Sequence, residues 1–377
     1  MPAPTIGRMS PFSDASIPPA LARRYARTPA GRAWLASLPG LIGQFLDQWK
    51  LVPDLEPGAL PWHGHGAVVI PVRRRLGDDS PGRGEDGKAA VLKIAFPHEE
   101  AARERLALAL WGGRGAVRLL DADAGSCVLL LERLDAGRSL QDVPLETAVP
   151  VWGGLVRQLS VVPDHRPEWR EIDHVAAKAE QWSDEFPETW ERLARPFPRW
   201  LLEAALEVCQ TRGAVGRRSG KDVLVHADLH YLNILARADV PDPRVGGPSD
   251  PARFAAIDPQ PLIGEAEFAV APVLWNRIRE LPRKDSGRAL LERCADFSAA
   301  AGLDAETARQ WSLVREVENA LCYAEQRQDA GDLARSLWVA STLAGRTLPD
   351  LPGPQELPEP GQADREAAGQ AAGTAAG

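Results

Sequence analysis

Short apolar runs separated by polar turns dominate the first third of the chain. "GAVVIPVRRRL" and "AAVLKIAF" flank the polar stretch "GDDSPGRGEDGK". This pattern predicts two strands joined by an extended hairpin loop. "AVRLLDADAGSCVLLLERL" predicts two more strands, turning at Ala124-Gly125. Between these pairs, "HEEAARERLALALW" has a helical period, with Glu99 and Glu100 in its first turn, where the helix dipole favours acids. Ahead of the sheet, "IPPALARRYARTPAGRAWLASLPGLIGQFLDQWKL" reads as helical pieces broken near Pro29 and Pro39. From Leu145 to Leu206, and again from Val270 to Thr347, the period is helical. Short strands around "HADLHYLNIL" and in "RFAAIDPQPLIG" interrupt it.

The expected fold class is α+β, a small antiparallel-sheet lobe followed by a mostly helical one. A helical segment spans 1–50, the sheet lobe 51–134 and the helical lobe 135–350. The Pro-, Gly- and Ala-rich stretch 351–377 is expected to be a disordered tail, because it has too little apolar surface to order. Residues 238–253 read as an enlarged hairpin loop. The chain's 377 residues suit two lobes better than one core.

A formal net charge of −8 argues against nucleic acid as a partner and is compatible with a cationic small molecule. Cys127, Cys209, Cys294 and Cys322 lie far apart, with no metal-binding spacing, and are expected to be reduced core thiols. The N-terminus has no apolar leader, and no stretch is long enough to span a bilayer. The expectation is a cytoplasmic protein with no membrane partner.

Candidate chemistry concentrates in "HADLHYLNIL". Apolar flanks place Asp228 and Asn233 on a loop between two strands. Asp258 ends the strand "FAAI" and precedes Pro259. If "NIL" and "FAAI" pair as a hairpin, Asp258 returns to the side of Asn233. Two carboxylates and an amide oxygen then converge, a donor set that suits Mg²⁺ with substrate phosphates. Asp228, if not committed to metal, can orient or deprotonate an attacking hydroxyl. Taken singly, each is more often a turn residue; the ordered set carries the signal. His226 and His230 have a zinc-like spacing, but on strand and loop they read better as structural histidines.

Lys93 lies inside an apolar strand, and a buried ammonium needs an anion. Glu104 shares a helical face with Ala101, Leu108 and Trp111 and is the first candidate, with Glu100 the second. Gly64 and Gly66 precede a strand in a turn that could place backbone amides over phosphates. The backbone from Glu132 to Leu134 is a candidate edge for an adenine.

These segments, in this order, resemble the aminoglycoside/hydroxyurea antibiotic resistance kinases, a family that includes streptomycin 6-kinases. The resemblance rests on "VLKIAFPHEEAARERLALALWGGRGAVRLLDAD", "VLLLERLDAGRSL", "LVHADLHYLNIL" and "AAIDPQPLIGEAEFAVAPVLWN". It implies a two-lobed protein-kinase-like fold and phosphorylation of a small-molecule hydroxyl with ATP, in some members GTP, and Mg²⁺. By position, Asp228 matches the catalytic-loop acid, Asn233 and Asp258 the metal ligands, and Lys93 the phosphate-binding lysine, with Glu104 its helix partner. Two departures stand out. Ala227 occupies a family glycine position. The family pattern after Asp258 is Gly-Asp, two residues, an aromatic and Asp; here "GEAEFA" puts Glu265 at the first acid and Ala269 at the second. That second acid braces the catalytic loop in the family, so Ala269 leaves open a pseudokinase-like protein that binds nucleotide or metabolite with weak or no turnover. Glu265 and Glu267 are candidates to replace it. For a cationic acceptor, Asp184, Glu185, Glu188 and Glu191 form one candidate acidic face, and Glu316 or Glu318 another.

Overall fold

The computed structural model describes residues 17–74, 87–213, 221–238, 250–326 and 330–360. Most of the two polar hairpin loops, and the stretch 361–377, lie outside the described residues. The chain divides into two compact units. The first runs to Arg105 and takes in Arg118–Arg133; the second holds Leu106–Val117 and continues from Leu134.

The first unit opens with α1 (Pro19–Tyr25) and α2 (Pro29–Gln48). The Thr28 hydroxyl accepts from the Gly31 N–H at 3.0 Å, and Pro29 occupies the first helical position, where its missing N–H costs nothing. The break expected at Pro39 does not occur; Pro39 lies inside α2. Trp34, Leu38, Ile42 and Phe45 form one buried stripe across it. Burying such side chains contributes roughly 1.5–3 kcal/mol each, together more than the about 3 kcal/mol that an interior proline costs.

The stripe packs on a sheet of β1 (Leu51–Pro53), β2 (Trp62–His63), β3 (Ala67–Arg74), β4 (Ala89–Ala95), β5 (Leu119–Asp123) and β6 (Val128–Glu132). Strand order is β1-β3-β4-β6-β5, all antiparallel, with β2 on β3. Leu92 and Ile94 point towards α2, so the two-residue period of a strand sends Lys93 to the opposite face. On that side follows α3 (Glu99–Trp111), whose residues up to Glu104 and Arg105 belong to this unit.

From Leu134 the second unit continues with β7 (Leu134–Ser139) and α4 (Leu145–Leu159), then α5 (Val175–Arg192) and α6 (Arg199–Arg212). Four short strands follow: β8 (Val223–His226), β9 (Ile234–Arg237), β10 (Phe254–Ala256) and β11 (Pro261–Gly264). They form two small antiparallel sheets, β10-β9-β7 and β11-β8. The predicted hairpin of "NIL" with "FAAI" is present, pairing Ile234 with Ala256. The chain ends in α7 (Ala271–Trp275), α8 (Ser286–Ala301), α9 (Ala305–Gln326) and α10 (Ala330–Leu343). Helices α4 and α8 approach so closely that a Cβ on Gly153 would meet the Ala300 carbonyl oxygen at 2.4 Å.

Two expectations need correction. Residues 351–360 are not a disordered tail: Leu357 is buried, the Gln355 amide donates to the Leu281 carbonyl at 2.6 Å, and Glu359 accepts from the Arg277 N–H at 2.8 Å. Leu357, Pro354 and a few polar groups suffice because the partners are already folded. The four cysteines are free, but only Cys209 and Cys294 are core thiols; Cys127 is half-buried and Cys322 exposed, on the polar flank of α9. Among the described residues, no helix is long and apolar enough to cross a membrane.

Candidate active site

Residues 226–233 link β8 to β9, and each strand is anchored in a different sheet. Every residue of β8 is buried, so the loop cannot shift without moving core. Its carbonyls are held by side chains from the surrounding helices. The Trp152 indole of α4 donates to Leu229 O at 3.0 Å, and the Arg315 guanidinium of α9 donates to Ala227 O at 3.1 Å. The Ala227 N–H donates to Gln260 O at 3.0 Å. His226 is structural, as expected. Nε2 pairs with Ile257 O at 2.9 Å, and Nδ1 accepts from the Asp228 N–H at 3.3 Å. Burial pushes its pKa down to about 4, which keeps the ring neutral, and those two hydrogen bonds fix its tautomer.

This frame brings the expected trio together. Asp228 is half-buried, and Asn233 is buried on a 3-10 turn (Tyr231–Asn233). The Asn233 amide nitrogen donates to Asp228 O at 2.9 Å and to Asp228 Oδ2 at 3.2 Å. That leaves its amide oxygen as the end available to a cation. The Ile257 N–H donates to Asn233 O at 2.9 Å, which places Asp258 immediately beside Asn233 in the hairpin. Asp258 has φ +52°, left-handed backbone that is uncommon for a residue with a side chain and more so before proline. Such conformations persist where the surroundings over-determine them, typically at functional sites. His230 Nε2 lies 3.6 Å from Asp228 Oδ2. Among the described residues, no three His, Cys, Asp or Glu side chains cluster to cage a metal. One carboxylate and one amide oxygen fit Mg²⁺, which takes few protein ligands and completes its shell with phosphates and water.

Neither candidate replaces the carboxylate missing at Ala269. Glu265 is committed to Arg212, at 3.1 Å to both oxygens, and to the Trp311 indole at 2.8 Å. Glu267 accepts from the Asp304 N–H at 3.2 Å, near the start of α9. Arg315 braces the loop from α9 instead, its guanidinium 4.9 Å from the Phe268 ring centre and 5.9 Å from that of Trp275. The sequence carried one signal for it, a lone arginine in the buried run "WSLVREV". Trp152 gave none that set it apart from other core tryptophans.

In the first unit, Lys93 and Glu104 form a buried ion pair, Nζ to the two carboxylate oxygens at 2.6 and 2.7 Å. Glu100 instead lies 3.9 Å from His98. The turn carrying Gly64 and Gly66 is tighter than expected. The Gly64 N–H donates to Ala67 O at 3.1 Å, so that amide closes the hairpin and does not face a ligand. Arg24 of α1 donates to His65 O at 2.7 Å. Glu132 ends β6, its N–H donating to Arg118 O and its carboxylate accepting from the Arg118 N–H at 2.8 Å. In the second unit, Leu134 opens β7 opposite Arg237.

The acidic candidates for a cationic acceptor separate. Asp184, Glu185, Glu188 and Glu191 are exposed on α5, with Glu185 bonded to Gln181 and Glu191 to Arg195. Glu316 is fully buried, and Glu318 lies 3.4 Å from Arg315.

Sequence and structural relatives make this chain a phosphotransferase of protein-kinase-like fold. The profile of the aminoglycoside/hydroxyurea antibiotic resistance kinases matches residues 48–327, and the chain belongs to that family. It is an enzyme that transfers phosphate to an alcohol group. It is 35% identical to a streptomycin 6-kinase of Streptomyces glaucescens, over 89% of this chain and 100% of that one. It is 36% identical to a hydroxyurea phosphotransferase of Kitasatospora aureofaciens, over 84% and 82%. Among solved structures, a GDP complex of an aminoglycoside 2'-phosphotransferase shares the fold at TM-score 0.51 and 11% identity, covering 81% of this chain and 97% of that one. A choline/ethanolamine kinase family protein from Mesorhizobium loti does so at 0.50 and 11%, covering 87% and 98%.

Proposed function

We propose that this chain is a cytoplasmic, ATP-dependent kinase that phosphorylates a hydroxyl of an aminoglycoside-like antibiotic or related metabolite, with GTP as a second possible donor. The observation that carries this reading is the mutual placement of Asp228, Asn233 and Asp258 on two loops fixed by buried strands. Asp228 accepts the proton of the acceptor hydroxyl and orients its oxygen for attack on the terminal phosphate. Lys93, held by Glu104, binds phosphate oxygens. The amide oxygen of Asn233 and the carboxylate of Asp258 hold Mg²⁺, which when bound neutralises charge on the phosphates. The turn at Gly64–Gly66 covers the phosphates through its amides other than that of Gly64, and the backbone from Glu132 to Leu134 meets the base. Positioning and charge supply most of the acceleration in such a site.

The test is ATP turnover with streptomycin, other aminoglycosides, hydroxyurea and simple sugars as acceptors. Wild type should turn over at least one of them. Asp228→Asn should lose about 10²–10⁴-fold in turnover, the usual contribution of a general base, with its melting temperature unchanged. Wild-type turnover in that variant would refute the role of Asp228.

A further inference from the structure

Residues 355–359 dock against the segment from Arg277 to Leu281. The Glu359 carboxylate accepts from the N–H of Arg277 at 2.8 Å and from that of Arg279 at 3.3 Å. Arg277 stands at φ +53°, left-handed for a long side chain, where backbone strain must be offset by its surroundings. Its guanidinium lies 5.1 Å from the ring centre of Tyr231 and donates to Val143 O at 2.8 Å. Tyr231 is fully buried and stands in the loop between Asp228 and Asn233. The Arg277 carbonyl is held in turn by buried Arg293, at 3.2 Å. A second tie runs to α10, where Arg335 donates to Pro358 O at 2.9 Å.

We propose that residues 355–359 are a positioning strap for the catalytic loop. Glu359 fixes the left-handed turn at Arg277, and the stack of Arg277 on Tyr231 transmits that position to the loop bearing Asp228 and Asn233. A carboxylate that receives two backbone N–H groups makes charge-assisted bonds, stronger than neutral ones. Without it, the N–H groups of Arg277 and Arg279 lose their anionic acceptor, and the turn gains freedom to relax. Glu359 is a positioning residue and makes no contact with reacting atoms in this scheme. The link to turnover rests on the role proposed for Asp228; the link to loop order does not.

The experiment compares full-length wild type, Glu359→Ala, Glu359→Gln and Gln355→Ala. It reads amide hydrogen exchange across residues 228–233 and steady-state phosphorylation with ATP. Glu359→Ala should speed exchange in that segment about tenfold and lower kcat by a similar factor, within what small misplacements of a catalytic group cost. The KM for ATP should change less than kcat, since of the groups proposed to hold the nucleotide only Asn233 lies in the loop the strap reaches. Glu359→Gln keeps one acceptor oxygen and should fall between; it carries the test if the alanine variant fails to fold. Gln355→Ala removes the strap's contact to Leu281 and none to Arg277, so it should lower the melting temperature and change kcat less than Glu359→Ala does. Unchanged exchange and unchanged kcat in both Glu359 variants would overturn the proposal. Faster exchange, with Asp228→Asn still active, would uphold the strap and remove the catalytic assignment instead.

Discussion

Ala269 sits on apolar ground. It lines a cavity of about 10 Å³ together with Leu159, Leu224, His226 and Leu229. A void that small holds at most one water. A carboxylate introduced there would be desolvated, and the Ala227 N–H of the loop already donates to Gln260 O. Ala269→Asp is therefore expected to lower both the melting temperature and turnover. Higher turnover would show that Arg315 swings to pair with the new acid. The buried pair in the first unit gives a second residue-level prediction. Lys93→Met alone removes the ammonium paired with buried Glu104 and should cost about 3–5 kcal/mol, whereas Lys93→Met with Glu104→Leu removes both charges and should recover most of that. Neither variant should use ATP, so stability and activity part company. Equal stability of the single and double variants would show that the pair is not desolvated. Lys93 with Glu104, and Asp228 with Asn233 and Asp258, were readable because each places a charge or amide against an apolar pattern of known period. Arg315 on Ala227 and Arg212 on Glu265 were not, because no local pattern encodes which distant helix meets a loop.

At the scale of elements, the outcome depends on how much each element's partner contributes. The proline in α2 was overridden because an apolar stripe packs on a sheet. The segment 351–360 was misread for the same reason, its composition being judged without the surface it meets. Leu357 is 1% exposed, which at ordinary transfer values contributes about 1.5–3 kcal/mol. The carboxylate of Glu359 adds two charge-assisted bonds. Deleting residues 351–377 should therefore lower the melting temperature clearly in a thermal scan, whereas ending the chain after Pro360 should preserve every contact described here. A truncation at 350 that melts with wild type would show that the docked segment contributes nothing.

At the scale of the whole molecule, two fully buried groups contribute proton linkage of opposite sign. His226 is neutral in the fold because burial lowers its pKa from about 6.5 to about 4. The unfolded chain binds the extra proton between those values, so this group's stability is present above about pH 6.5 and lost as pH falls through about 4. Glu316 on α9 is the reverse. Burial raises its carboxyl to about 7, against the attraction of Arg335 and the hydrogen bonds of Ser336 and Asn319, and its Oε2 has no partner among the described residues. Here the fold binds the extra proton, so stability is present below about pH 4.5 and lost as pH rises through about 7. The two slopes cancel across the overlap, and wild type should vary little between about pH 4.5 and 6.5 on their account. Glu316→Gln keeps the shape and removes the titration. Its advantage over wild type should be near zero at pH 4.5 and grow to about 3 kcal/mol by pH 7.5, from a shift of about 2.5 pH units at about 1.4 kcal/mol each. Urea midpoints of the two proteins, measured side by side from pH 4 to 8, check this, because other titrating groups cancel in the difference. A constant difference across that range would mean that Glu316 carries the same charge folded and unfolded, and that a water or an ion satisfies its second oxygen.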